Sequence, residues 1–199
     1  MTSIDEIKKE MRKNAAQRRK SAFDAMPDAA TKIARFADQI WHAFSPSVIA
    51  AFWPIRTEID PVPLLETLCA RGADGCLPVT PEEGKPLIFH QWRVGEPLCD
   101  GPYQTKQPDN SAPVMRPDLI LAPLLAFDSD FWRLGYGGGF YDRTLAGFEA
   151  EGHHAVVIGI AFDESEVETV PTGPYDKALS GILTPSGLRL APHKAGQGA

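Results

Sequence analysis

Asp118-Leu-Ile-Leu-Ala-Pro-Leu-Leu-Ala-Phe127 is apolar at nearly every position and does not alternate with polar residues. Such a run suits a strand covered on both faces, as in the middle of a parallel sheet. Ala155-Val-Val-Ile-Gly-Ile-Ala-Phe162 has the same character, and Ser47-Val-Ile-Ala-Ala-Phe-Trp53 is a third buried strand. Between them lie helical patterns. Pro61-Val-Pro-Leu-Leu-Glu-Thr-Leu68 carries its prolines where a first helical turn tolerates them, and Gly72 ends it. A further helix starts at Phe140. Buried strands alternating with helices predict an α/β fold, an α/β/α sandwich with a mostly parallel central sheet. Ligands of such sheets sit at the carboxyl ends of the strands.

The remaining segments fit around that centre. Residues 3–22 predict a helix with Ile4, Ile7 and Met11 on one side, and Pro27-Asp28 start a new element. Ile33, Phe36, Ile40, Trp41 and Phe44 then recur at helical spacing as a core-facing stripe. Residues 75–80 and 86–92 are shorter strand candidates, and residues 181–190 predict a closing strand or hairpin. Residues 95–117 are rich in proline and polar groups and predict a long loop. The tail beyond about residue 191 is expected to be disordered. No repeat or second boundary interrupts the chain, so residues 1–199 are read as one domain.

Composition excludes several classes. No run reaches the about 18 apolar residues of a membrane span, and the polar start Met-Thr-Ser-Ile-Asp-Glu lacks the apolar core of a secretory signal. Cys69, Cys76 and Cys99 are odd in number and lack Cys-x-x-Cys spacing, against a disulfide framework or a zinc site and in keeping with a reducing cytoplasm. The net charge of −6 argues against a nucleic-acid partner, but residues 1–20 carry +4 and the rest −10. Taken alone, the basic first segment is a solvated helix face; beside an anion site it is a means of recruiting the ligand.

The apolar run feeds into Arg133-Leu-Gly-Tyr-Gly-Gly-Gly-Phe-Tyr-Asp-Arg143. Four glycines within residues 135–139, next to a helix start and between two arginines, suit polyphosphate held by backbone N–H groups. The stretch lacks the Gly-Lys-Ser/Thr of a P-loop, and Phe140 stands where a dinucleotide fingerprint needs glycine or alanine.

Arg-Leu-Gly-x-Gly-x-Gly-aromatic-Tyr-Asp resembles the signature of the 5-formyltetrahydrofolate cyclo-ligase (5,10-methenyltetrahydrofolate synthetase) family. Further anchors run in family order: Lys8 and Arg12; Phe52 to Asp60 with Glu58; Ile120 to Asp128; and Asp176 before Ile182-Leu-Thr184. The resemblance implies a sugar-phosphate-isomerase/CoA-transferase-like fold and the ATP- and Mg²⁺-dependent closure of 5-formyltetrahydrofolate to 5,10-methenyltetrahydrofolate, releasing ADP and phosphate. It places Arg133, Tyr141 and Asp142 at the catalytic centre. ATP falls to Lys8, Arg12, Arg133, Leu134, Gly135, Tyr136, Gly137, Gly138, Gly139, Phe140 and Tyr141. The folate falls to Glu58 and Tyr103, with Tyr136 to Phe140 bordering it, and Mg²⁺ to Asp142 and Asp176. A cytoplasmic monomer or weak homodimer is expected, with no membrane or nucleic-acid partner.

The chain departs from the family pattern at four places. Ser129-Asp-Phe-Trp132 replaces a turn that often holds a glycine, Lys106 replaces a proline before Gln107, Ser180 stands for a second acid, and Gly138 stands where some members have lysine. Two other readings therefore stay open: another nucleotide- or sugar-phosphate-binding enzyme of this fold, or a non-catalytic ATP- or folate-binding protein.

Overall fold

A computed structural model describes residues 4–192. Helices α1 (Ile4–Ala25), α2 (Ala29–Ala34) and α3 (Ala37–Phe44) lead into strand β1 (Val48–Ala50) and helix α4 (Val62–Cys69). Strands β2 (Asp74–Val79), β3 (Ile88–Gln91), β4 (Cys99–Asp100), β5 (Lys106–Gln107), β6 (Val114–Met115), β7 (Leu119–Pro123), β8 (Ala126–Phe127) and β9 (Arg133–Leu134) follow. Helix α5 (Phe140–Ala150) and strands β10 (Val156–Ile160), β11 (Gly181–Thr184) and β12 (Gly187–Leu190) complete the order.

The main sheet has the order β12-β11-β10-β7-β1-β2-β3-β6. Its five middle strands, β11, β10, β7, β1 and β2, are parallel, and antiparallel strands finish both edges. Side chains alternate between two cores. Ile49, Leu119, Leu121 and Ile158 pack under α2, α3 and α4, where Ile33, Ile40, Leu64, Leu65 and Leu68 are fully buried. Ala50, Ile120, Ala122 and Val157 face Leu145 and Phe148 of α5. The result is the expected three-layer α/β arrangement with a mostly parallel centre.

Helix α1 joins the first core near its end, through Ala22. It packs through Ala15, with Met11, on Leu125, Ala126 and Leu134 beyond the carboxyl end of β7. Ile4 and Ile7 are both exposed; the buried residues of the helix are Ala15, Arg19 and Ala22.

Three other expectations change. The 118–127 run is not one strand. It stops at Pro123, the last residue paired with β10, and resumes as β8 in a small ribbon with β9. Proline has no N–H for a neighbouring strand, so it suits the end of a ladder. The 95–117 loop contains the β4–β5 ribbon and the edge strand β6. The 28–44 stripe is shared by two helices. The expectation for the tail falls largely on residues 193–199, outside the described residues.

Gly159, in the middle of β10, has no room for a side chain: an added Cβ would lie 2.6 Å from Leu124 and 2.7 Å from Leu179. Gly159→Ala is expected to destabilise by roughly 1–3 kcal/mol through overpacking. In a chain of this size each kcal/mol lowers the melting temperature by about 2–4 °C, so thermal unfolding is the measurement; an unchanged melting temperature would refute the overpacking.

Candidate functional site

Read along the chain, the parallel strands have the order 2-1-3-4-5, and connections leave in opposite directions on either side of the boundary between β1 and β7. The crevice outside the carboxyl ends of those two strands is where such sheets bind ligands. After β1 the chain crosses it as residues 51–60, carrying Glu58. After β7 it crosses as the β8–β9 ribbon and the glycine loop.

A buried carboxylate builds the turn that aims this loop. Asp128 Oδ1 accepts from the N–H groups of Asp130 and Trp132, at 3.1 and 3.0 Å, and Oδ2 accepts from that of Val170 at 2.8 Å. Within the turn, Phe131 adopts φ 65°. That is the left-handed conformation a glycine would take freely and other residues take at a cost. The missing family glycine has therefore not changed the turn to a right-handed shape.

The loop then enters α5. Gly137 and Gly139 have φ 103° and 64°, which explains glycine at both. No side chain caps the start of α5, so its first N–H groups remain suited to an anion. Arg12 Nε donates to the Gly135 carbonyl at 3.0 Å, and a Cβ on Gly137 would sit 3.2 Å from its guanidinium carbon. Arg143 Nη2 donates to the Gly138 carbonyl at 2.6 Å and covers the Phe140 ring. A Cβ at Gly138 would come 2.8 Å from that ring, so the departure at this position matches the placement of Phe140. Leu134 anchors the loop: its side chain is buried against α1, and its carbonyl accepts from the Leu125 N–H.

Cations and carboxylates are paired beside the loop. Arg133 Nη2 donates to Asp142 Oδ1 at 2.7 Å and Nη1 to the Lys177 carbonyl at 2.6 Å, while the Lys177 N–H returns to Asp142 Oδ1 at 3.1 Å. Lys8 Nζ pairs with Asp176 Oδ2, which also accepts from the Gly173 N–H. Burial alone would raise the Asp176 carboxyl. The hydrogen bonds from Lys8 and Gly173 and the charges of Lys8 and Arg133 outweigh it and hold the carboxyl below its ordinary value.

Among the described residues no three His, Cys, Asp or Glu side chains gather as a metal cluster. The residues nevertheless fit Mg²⁺ of the kind that takes one or two carboxylates and completes its shell with phosphate and water. Both acids spend one oxygen on protein donors; Asp142 Oδ2 and Asp176 Oδ1 have no protein hydrogen bond among the described residues.

Glu58 is 6 % exposed. Its Oε2 accepts from the Ile55 N–H at 2.8 Å; Oε1 is buried without a hydrogen-bond partner among the described residues. Burial pushes its carboxyl up, against the Ile55 N–H, the charge of Arg19 and the Tyr136 hydroxyl, which approaches the carboxylate without the geometry of a full hydrogen bond. The Tyr136 phenol is pushed up to about 12 by burial and by Glu58. Burial and Glu58 also push up that of Tyr141, so both stay protonated at neutral pH and act as neutral hydroxyls. Beside the Glu58 segment lies a recess of about 360 Å³, lined by Trp53, Val62, Trp92, Val94, Leu98 and Lys106.

The structure thus brings Lys8, Arg12, Arg133, Asp142 and Asp176 around the loop. Tyr103 packs near Phe140, ring centroids 6.4 Å apart, with its own backbone at φ 58°. Lys106 is paired with Asp100, away from the loop contacts, and the Ser180 hydroxyl accepts from the Val157 N–H, so it completes strand pairing. Two residues escaped the sequence reading as site residues. Asp128 was read only as the end of a strand. Arg19 was counted with the solvated basic helix, yet it is buried; the face that carries Lys8 and Arg12 continues at helical spacing through Ala15 to Arg19, and following it would have found the residue.

Residues 4–185 match the 5-formyltetrahydrofolate cyclo-ligase family. The 5-formyltetrahydrofolate cyclo-ligase of Escherichia coli is 34% identical over 143 residues, 69% of this chain and 78% of that one. That of Mycolicibacterium smegmatis is 33% identical over 149 residues, 69% and 73% of the two chains. The solved structure of Aquifex aeolicus 5,10-methenyltetrahydrofolate synthetase superposes with a TM-score of 0.75 at 21% identity, covering 97% of this chain and 96% of that one. The corresponding Mycoplasma pneumoniae enzyme gives 0.67 at 21% identity, over 89% and 98%. With the glycine loop, the paired acids and the fold all in place, the chain belongs to the 5-formyltetrahydrofolate cyclo-ligase family.

Proposed function

We propose that this enzyme closes 5-formyltetrahydrofolate to 5,10-methenyltetrahydrofolate at the expense of Mg-ATP. The observation that carries the reading is the pair Asp142 and Asp176: each is tied to a cation through one oxygen and, among the described residues, keeps the other clear of protein donors, beside the start of α5. A carboxylate next to a triphosphate is repulsive unless a cation lies between, and Mg²⁺ would neutralise charge there.

In this reading the formyl oxygen attacks the γ-phosphorus and ADP leaves. N10 then bonds to the activated formyl carbon and gives up its proton, and phosphate departs with the former formyl oxygen. Little covalent help is needed; alignment and charge neutralisation are. Lys8, Arg12 and Arg133 with the N–H groups of the loop hold the triphosphate. Arg133 and Asp142 orient the reacting end, with Tyr141 as a neutral hydroxyl that feels the charges of both Glu58 and Arg133. Glu58 accepts from the aminopyrimidine edge of the folate, and Tyr103 and Phe140 flank the substrate. The free cysteines suit the reducing cytoplasm proposed for it.

Folded protein given Mg-ATP and 5-formyltetrahydrofolate is expected to raise the absorbance of the methenyl product; no rise with intact fold overturns the proposal. Asp142→Asn should lower kcat by about 100-fold, by analogy with the loss of a group that stabilises the transition state. Glu58→Gln should raise the folate KM about 10–100-fold, the worth of hydrogen bonds to a charged group, with ATP binding retained.

Because the Asp176 carboxyl is depressed, its pairing contributes stability that is complete above the ordinary carboxylate range and lost as pH falls through the lowered value. Without ligand, Lys8→Met is therefore expected to lower the melting temperature near neutral pH, with the gap to the parent protein closing at acid pH. A gap independent of pH would refute the pairing.

A further inference from the structure

Arg19 is only 3 % exposed, and each of its guanidinium nitrogens is engaged. Nε donates to Thr57 Oγ1 at 3.1 Å, Nη1 to the Leu124 carbonyl at 3.3 Å, and Nη2 to the Tyr136 hydroxyl at 2.5 Å. Nη1 also lies 3.8 Å from Glu58 Oε1. Three segments remote in sequence meet on one planar group: the segment after β1, the exit of β7, and the glycine loop. Two cations lie near the Tyr136 ring, with the Arg19 and Arg56 guanidinium carbons 5.4 and 5.8 Å from its centroid. Arg56 adopts φ 56°, a conformation that residues other than glycine seldom take and that persists where the surroundings hold it.

A buried carboxylate oxygen without a hydrogen-bond partner is costly, and Glu58 Oε1 is one. The groups facing this carboxylate are Arg19 from α1, Arg56 from its own segment, and the hydroxyls of Tyr136 from the glycine loop and Tyr141 from α5.

We propose that Arg19 is a positioning residue that fixes the Glu58 carboxylate and the glycine loop in one register, so that the folate-side acid and the ATP-side loop act as a unit. The proposal rests on the reading of Glu58 as the folate-side acid. Arginine suits the task because its rigid fork reaches several acceptors at once, whereas lysine offers a point charge. Its charge also favours the ionised form of Glu58, which burial opposes.

The test is steady-state kinetics over pH with Arg19→Gln, Arg19→Lys, Tyr136→Phe and Glu58→Gln, together with thermal stabilisation by Mg-ATP, by 5-formyltetrahydrofolate and by both. Arg19→Gln removes the charge, so Glu58 binds its proton more readily. The acid limb of kcat/KM for folate should move to higher pH. Arg19→Lys should restore that limb while the folate KM stays raised by about tenfold or more, since the fork is lost. Both variants, and Tyr136→Phe, should lose the extra stabilisation seen when the two ligands are added together.

Folded Arg19 variants with the parental acid limb and undiminished ligand synergy would overturn the proposal. If neither Arg19 variant folds, Tyr136→Phe decides: retained synergy overturns the link, lost synergy supports it. Glu58→Gln separates the two layers. An unchanged folate KM there sinks the reading of Glu58, whereas a raised one with indifferent Arg19 variants sinks only the positioning role.

Discussion

β7 stops at Pro123, which pairs with Ile160 but brings no N–H to extend the ladder, and the chain leaves the sheet at that point. Much of the carboxyl edge follows from this exit. Leu124 turns its carbonyl to Arg19 instead of to a neighbouring strand. Leu125 and Ala126 become the seat on which α1 lies, which brings Lys8 and Arg12 to the glycine loop. The ribbon that starts there ends in Arg133, aimed by the Asp128 turn at Asp142. Had the 118–127 run continued as one strand, the loop would begin further from β1 and from Glu58.

The charges at this edge are paired in advance. Arg133 holds Asp142, Lys8 holds Asp176, and Arg19 stands over Glu58. Such pairs are weak grounds for stability, because desolvation offsets much of the attraction. Their use lies in geometry: in the proposed reaction Lys8 and Arg133 would already be oriented towards phosphate charge, and orientation set during folding need not be set again during reaction. The arrangement also links the two halves of the site. Asp142 and Arg133 both hydrogen-bond to the Lys177 peptide, next to Asp176, and Tyr136 joins the loop to Arg19.

The sheet was legible because its middle strands are buried on both faces, which forces apolar runs such as 155–162 whatever the exact register. The glycine loop was legible because φ near 64° and 103° at Gly139 and Gly137 leaves little alternative to glycine. What escaped the reading is where one force was overridden by another. Phe131 takes a left-handed conformation that composition assigns to glycine, because Asp128 holds the N–H groups on both sides of it and the Leu179 N–H binds its carbonyl. Arg19 looked solvated because charge usually is; burial became tolerable only through acceptors supplied by residues 57, 124 and 136, none near it in sequence. Ile4, Ile7 and Met11 share one side by spacing, but α1 rests on the ribbon by its middle, so Met11 packs there while Ile4 and Ile7 stay exposed.

The uneven charge now has a physical sense. Of the basic residues in the first helix, Lys8, Arg12 and Arg19 lie on the face turned to the crevice and make contacts with the glycine loop, Asp176 and Glu58. Lys20 pairs outward with Asp24. The chain as a whole carries −6. An acidic body repels polyanions in general, while Arg12, which has no carboxylate partner among the described residues, adds positive potential beside the glycine loop. An enzyme that takes nucleotide and folate anions, as proposed, gains from that contrast. The gain depends on the basic residues converging on one face of α1, a property of the helix packed on the β8–β9 ribbon and not of the charge count alone.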